Sequence, residues 1–409
     1  MNEGHEIIAI CAVPPGVNPG MASVDLALKM LLEKINLYDK VGFYTLYPSE
    51  SESVVKYSEP NLPNYSVIPD NPEFFSFRKM ILYWGDFLHM YQYHQNVARY
   101  LYNLQYFRTF EDAINRVYSV LLLKDQQREV LSTKITFGST LLFNSMSDET
   151  DPEYGFLLKK FLEYGNSWFR DVFSAIKASH ITGDYFNSFL GIDCATLVTS
   201  SMIVPGQSNP YKKKSIGIFI GRTADHFKEV LQFAEDFSKS CGIPLKWISW
   251  GDTKAFPTLK NFETESLNSH LDGIDFTGIR DPLQALAQLL EFDLIISDTY
   301  HICVNAWNLN IPAICFAGDD QYKLRNVNSG NFFSRLDKRF VFYGMYGALD
   351  FLVPYHELMS NEFRDLRLHH LLKILDKGEI VPYIHQRIAQ HSKYSEAILT
   401  EAIFTLINR

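Results

Sequence analysis

The sequence predicts an α/β protein built from two Rossmann-like domains that face each other across a cleft. Three observations carry this expectation. A strand, a glycine-rich loop and a helix open the chain, and the same alternation restarts after a polar, lysine-rich break at residues 207–214. Residues 292–323, FDLIISDTYHICVNAWNLNIPAICFAGDDQYK, then read as strand, tight loop, helix and strand. These features divide the chain into an amino-terminal domain over 1–206, a linker over 207–214, a second domain over 215–394 and a terminal helix over 395–409.

In the first domain, Glu6 to Val13 is a strand that breaks at Pro14-Pro15-Gly16, and a helix follows from Ala22 to Lys34. Val41 to Leu46 is the next strand. Residues 73–107 are unusually aromatic, with Met80 to Trp84 the best strand and the remainder helical. Such a segment reads either as core packing or as an aromatic platform for a sugar ring or a membrane surface. Ile135 to Asn144 is a further strand with a loop, Phe156 to Ile176 reads as helix, and Ala195 to Val204 is an apolar segment ending at Pro205-Gly206.

In the second domain the pattern gives a strand at Ser215 to Ile220, a helix from Ala224 to Cys241, a strand at Leu245 to Ser249 and a helix at Gln284 to Glu291. Phe292 to Ser297 and Ile311 to Phe316 are strands that flank a helix over Tyr300 to Leu309. Ile302, Cys303, Ala306 and Leu309 fall on one side of that helix, and His301, Asn305 and Asn308 on another. With Asp298 or Thr299 as N-cap, His301 sits in the first turn at the carboxyl end of a buried strand, beside backbone N–H groups able to receive an anion. The alternative is a structural histidine.

Composition narrows the function. The 409 residues are 46% hydrophobic and 14% aromatic, enough for two cores. A formal net charge of -9 argues against nonspecific nucleic-acid binding. Five cysteines stand singly in apolar runs without a CxxC pair, as expected of buried, reduced thiols in a cytoplasmic protein. No signal peptide is recognisable, and no apolar run approaches the roughly 18 residues that span a bilayer. Neither HExxH, nor a cysteine quartet, nor a Walker A motif, nor a full GxGxxG is present, so no metal or cofactor is expected.

Taken in order, Gly16 to Lys34, Phe137 to Asn144, Trp168 to Ala178 with Arg170, Asp171 and Ser174, Ile216 to Thr223, and Leu294 to Phe316 with Lys323 beyond it resemble the polysaccharide pyruvyl transferase family. The resemblance implies a GT-B-like fold whose carboxyl-terminal helix crosses back onto the first domain. It also implies a small-molecule donor, phosphoenolpyruvate, used as co-substrate to place a ketal on a glycan or lipid-linked glycan. With a lipid-linked acceptor the protein would work at the inner face of the membrane through peripheral contact. His301 is then the expected general acid, and Arg222 the anion-gripping partner.

Thr299, Asn305, Lys323 and Arg325 are the candidates for donor binding, and Asn18, Trp84 and Asp86 for acceptor binding on the first domain. Members of the family commonly carry arginine two residues before the signature histidine, where this chain has Thr299. Arg222 could otherwise pair with Asp225, and Arg170 with Asp171, as structural ion pairs. Cys303, on the apolar face, reads as core. Two rival functions share the architecture: a GT-B glycosyltransferase using a nucleotide sugar, and a catalytically silent glycan-assembly protein that uses 73–107 as its contact surface.

Overall fold

A computed structural model of the chain describes residues 5–11, 19–47, 61–85, 87–142, 151–183, 188–203, 215–223, 225–251, 281–318 and 337–409. The expected linker, and with it Asn18, Asp86, Lys323 and Arg325, lies outside the described residues.

Two separate parallel sheets organise the molecule. The first, in spatial order, is β3 (Tyr65–Val67), β2 (Val41–Thr45), β1 (Ile7–Cys11), β4 (Met80–Trp84), β5 (Lys134–Ser139), β6 (Asn166–Phe169) and β7 (Ser188–Leu190). The second is β12 (Leu352–Pro354), β11 (Ala313–Ala317), β10 (Leu294–Ser297), β8 (Ile216–Phe219) and β9 (Leu245–Trp247). Strands such as IIAIC and MILYW are buried at every position because helices cover both faces of a parallel sheet. The strand order reverses between β1 and β4 in the first sheet and between β8 and β10 in the second. Each reversal opens a crevice at the carboxyl ends of the strands, where ligands bind in such sheets.

Among the described residues the helices of two or more turns are α1 (Pro19–Lys34), α2 (Tyr91–Asn103), α3 (Phe110–Leu121), α4 (Pro152–Glu163), α5 (Val172–Thr182), α6 (Phe227–Cys241), α7 (Pro282–Leu289), α8 (Tyr300–Asn308), α9 (Lys338–Tyr346), α10 (Asn361–Lys377) and α11 (Ile380–Ile407). One hydrophobic core runs without a break from Ala9, Leu28 and Trp84 in the first domain to Ile218, Ile296 and Trp307 in the second. A second core, containing Ile8, Tyr83, Val117 and Phe161, lies on the other face of the first sheet.

Several expectations are corrected. Phe156 to Ile176 is not one helix: α4 ends at Glu163, and β6 and then α5 follow. Gly165 makes this break. It has φ of +65°, and a side chain there would meet the Lys134 carbonyl at 2.5 Å. Arg170 and Asp171 therefore sit at the carboxyl end of a strand rather than within a helix. The apolar segment from Ala195 is a 3-10 turn, Cys194–Leu197, followed by one helical turn, Ser200–Ile203. The terminal helix begins at Ile380 rather than Ser395, and it contacts both β4 and β5 of the first sheet and α8 of the second domain.

Much of the aromatic segment is structural. Trp84 is fully buried, stacks on Phe137 at 5.4 Å and donates from its indole nitrogen to the Val24 carbonyl at 2.7 Å. It therefore offers no surface to an acceptor, and its proposed acceptor role is corrected to core packing. Phe77, Tyr102 and Tyr106 remain exposed.

Candidate active site

The site is built where the two reversal points meet. α1 begins beside the carboxyl end of β1, and α8 begins beside that of β10, with the two helix starts in contact. A methyl group on Gly20 would lie 2.6 Å from His301 Cβ, so only glycine permits this approach. His301 is 6% exposed, and its ring lies against the Tyr300 ring at 5.1 Å. The imidazole occupies the seam between the domains rather than an open cleft wall.

The polar face of α8 makes that seam. Asn305 Nδ2 donates to Ser23 Oγ at 3.1 Å and to the His301 carbonyl at 2.7 Å, while Ser23 Oγ donates to the Gly20 carbonyl at 2.9 Å. Asn308 Nδ2 donates to the Val198 carbonyl. The period of His301, Asn305 and Asn308 is as the sequence suggests, but it serves domain contact. Asn305, 1% exposed, is corrected from a donor ligand to an interdomain clasp.

Thr299 is the geometric N-cap of α8, yet its side chain makes no cap bond. Its hydroxyl donates to Asp298 Oδ1 at 3.1 Å, and the residue is 3% exposed. A direct contact between the Thr299 side chain and a donor is therefore corrected.

Asp298 has another task. Its carboxylate accepts from the backbone N–H groups of Gly221 at 2.9 Å, Arg222 at 2.8 Å and Thr223 at 2.8 Å. The loop after β8 would otherwise be an anion-binding nest, and an internal carboxylate already fills it. The same interaction fixes the direction of Arg222, whose side chain reaches solvent. Packing around the guanidinium lowers its pKa, Asp298 opposes that shift, and Arg339 adds to it. The group stays charged at any working pH. Asp298 is thus the acid whose charge acts on Arg222 most strongly.

Arg339 stands beside this cluster at the start of α9. It pairs with Asp337 at 2.5 Å and donates to the carbonyls of Asp298 and Phe316 at 3.0 and 2.7 Å. Burial works against the charge of Arg339, but the Asp337 hydrogen bonds outweigh it and raise the pKa. Tyr355 closes the far side, stacked on His226 at 4.8 Å. Burial, followed by the nearby Asp298 charge, pushes its hydroxyl above the usual range.

Across the seam, the Tyr300 hydroxyl donates to Asp193 Oδ2 at 2.9 Å, and Arg170 pairs with the same oxygen at 3.5 Å. The Arg170 guanidinium lies 5.3 Å from the Tyr300 ring. Lys338 Nζ is 4.6 Å from that ring and 5.3 Å from the ring of Phe87, so it spans the two domains. Arg170 therefore pairs with Asp193 and not with Asp171. Asp171 instead caps α5 by accepting from the Ser174 N–H at 2.8 Å, and it also binds the hydroxyls of Ser174 and Thr140.

Gly20, Asp193, Tyr300, Lys338 and Arg339 were not singled out as site residues in the sequence. Asp193 precedes a short 3-10 turn and Lys338 opens α9, and only three-dimensional pairing reveals them. Among the described residues no group of three or more His, Cys, Asp or Glu is placed to hold a metal. No described helix is long and apolar enough to cross a membrane. Cys303 is fully buried, and all five cysteines carry free thiols.

No family model matches the chain, and no curated protein matches it. Solved structures do. One from Listeria monocytogenes, provisionally designated a UDP-N-acetylglucosamine 2-epimerase, aligns over 98% of this chain and 96% of its own at 9% identity, with a TM-score of 0.53. The UDP-GlcNAc 2-epimerase of Methanocaldococcus jannaschii covers 89% and 91% at 12% identity, TM-score 0.47. A trehalose 6-phosphate synthase of Burkholderia multivorans covers 96% and 99% at 10% identity, TM-score 0.43. With the sheet orders above, the Listeria likeness shows the fold: this is a GT-B-like protein of two Rossmann-like domains.

Proposed function

We propose that the protein is a GT-B enzyme that acts on a nucleotide-diphosphate sugar, transferring or rearranging its glycosyl group. The observation that carries this reading is the cation cluster at the second reversal point. Arg222 reaches solvent there, Lys338 stands between the domains, and the N-terminus of α8 lies beside them. A diphosphate needs spread positive charge, which two side-chain cations and a helix dipole supply. The 2-epimerase designation of the Listeria structure points to the same donor class.

In this reading Arg222 and Lys338 hold the diphosphate and offset the charge that develops on it as the glycosyl bond breaks. Arg339 and Asp337 hold the loop around them. His301, sealed against Gly20, orients the α8 start through packing, and in this reading it would exchange a proton only on opening of the seam. Pyruvyl transfer from phosphoenolpyruvate is the second reading, favoured by the motif order around His301. Its small donor, a carboxylate with a phosphate, suits the same cations, but Thr299 cannot replace an arginine there.

Ligand-induced stabilisation separates the two. UDP-sugars at about a hundred times their Kd should add roughly 2.7 kcal/mol to folding, while phosphoenolpyruvate leaves the protein unchanged. Stabilisation by phosphoenolpyruvate alone, with a product mass gain matching a ketal, would replace the first reading by the second. Stabilisation by neither would leave the glycan-assembly role.

A further inference from the structure

We propose that a second groove, lined by none of the candidate active-site residues, binds a carbohydrate chain. The groove has a volume of about 920 Å³ and lies between β5, β6 and β7 of the first sheet and the last turns of α11. Half-buried Phe189 lines its base, backed by Trp168, on which it stacks at 5.5 Å with a 28° interplanar angle. Tyr394, 63% exposed, lines it from α11. Around this floor stand Asn166, Glu401 and Thr405, which supply an amide, a carboxylate and a hydroxyl.

This combination selects the ligand. The C–H face of a pyranose packs on an aromatic ring, and its hydroxyls need donors and acceptors at the edge. An acyl chain would desolvate the rim groups without pairing them. The groove also shares none of the residues placed at the candidate active site. Asn166 opens β6, whereas Arg170 follows its carboxyl end and points to Tyr300. The groove uses none of Arg222, Lys338 and His301, so the site stands whether or not the donor reading above is correct.

The test is calorimetric titration of the full chain, without any donor, against a panel of neutral oligosaccharides: maltoheptaose, cellohexaose and chitohexaose. Trp168 packs on Phe137 within the core, so the variants are Tyr394→Ala and Glu401→Gln, at accessible positions. Binding of at least one panel member, weakened about tenfold by Tyr394→Ala with an unchanged thermal midpoint, is the expected result. Binding that ignores both substitutions would overturn the proposal. So would the absence of binding by all three sugars. Self-association abolished by Tyr394→Ala, without sugar binding, would assign the groove to a second copy of the chain and equally overturn it.

Discussion

Gly20 and His301 touch across the domain boundary so closely that no side chain fits between them. The contact joins the first turn of α1 to the first turn of α8. It makes the position of an imidazole in one domain depend on the absence of a Cβ in the other.

Gly20→Ala should therefore displace His301 or part the two helices. Overpacking of this kind costs about 1–3 kcal/mol, which urea unfolding would register as a lowered midpoint. A wild-type midpoint would mean that the seam is loose enough to yield.

Tyr300→Phe removes the hydroxyl that Asp193 accepts and leaves Arg170 as the partner recorded for that oxygen. A loss of roughly 1–3 kcal/mol is expected, with Asp193→Asn less than additive in the double variant because the two share one interaction. Denaturation of the four proteins of the cycle gives the coupling. Strict additivity would contradict it.

Arg222→Ala should weaken UDP-sugar binding and turnover while leaving the fold intact, since the backbone N–H of residue 222 still reaches Asp298. Arg222→Lys should restore little, because an ammonium lacks the planar fork. Unchanged donor affinity in the alanine variant would remove Arg222 from the site.

Stability should carry a pH signature of Asp25. Burial raises its pKa from 3.8 to about 7, against the lowering effect of the Tyr65 hydroxyl, which donates to it at 2.6 Å. Between those values the folded state holds more protons than the unfolded state, so this group makes stability fall as pH rises from about 4 to about 7. Asp25→Asn should cancel that slope, seen in the difference between variant and wild-type urea midpoints over the same range. Parallel profiles would disprove it.

Lys134 has the opposite sign. Burial lowers its pKa from 10.5 to about 7, and its Nζ lies 4.2 Å from the Phe161 ring. The folded state holds fewer protons across that window, so this group makes stability rise with pH from about 7 to about 10.5. Lys134→Met should flatten the rise and stabilise the protein at neutral pH. A destabilised methionine variant with an unchanged slope would refute the argument.

The parallel strands were legible because their buried runs are continuous: Met80–Trp84 coincides with its sequence bounds, and β1, β2, β8, β10 and β11 fall within or beside theirs. The short strands Tyr65–Val67, Ser188–Leu190 and Leu352–Pro354 were not, since three residues carry no measurable period. At the site, the placement of His301 in the first turn of a helix after a buried strand was readable from local pattern. What His301 faces was not, because Gly20 lies 281 residues earlier in the sequence. Asn305 looked like a ligand residue for the same reason: a polar face on a helix announces a polar neighbour, and only packing tells whether that neighbour is a substrate or another domain.

The helix from Ile380 to Ile407 has a consequence for synthesis. It covers part of the first sheet, yet it emerges only after the whole second domain has been translated. During that interval the amino-terminal half carries a bare apolar face, and translation proceeds at about 5–20 residues per second. A ribosome-bound chain halted before residue 380 should therefore be a strong chaperone client and sensitive to protease, whereas the released chain is neither.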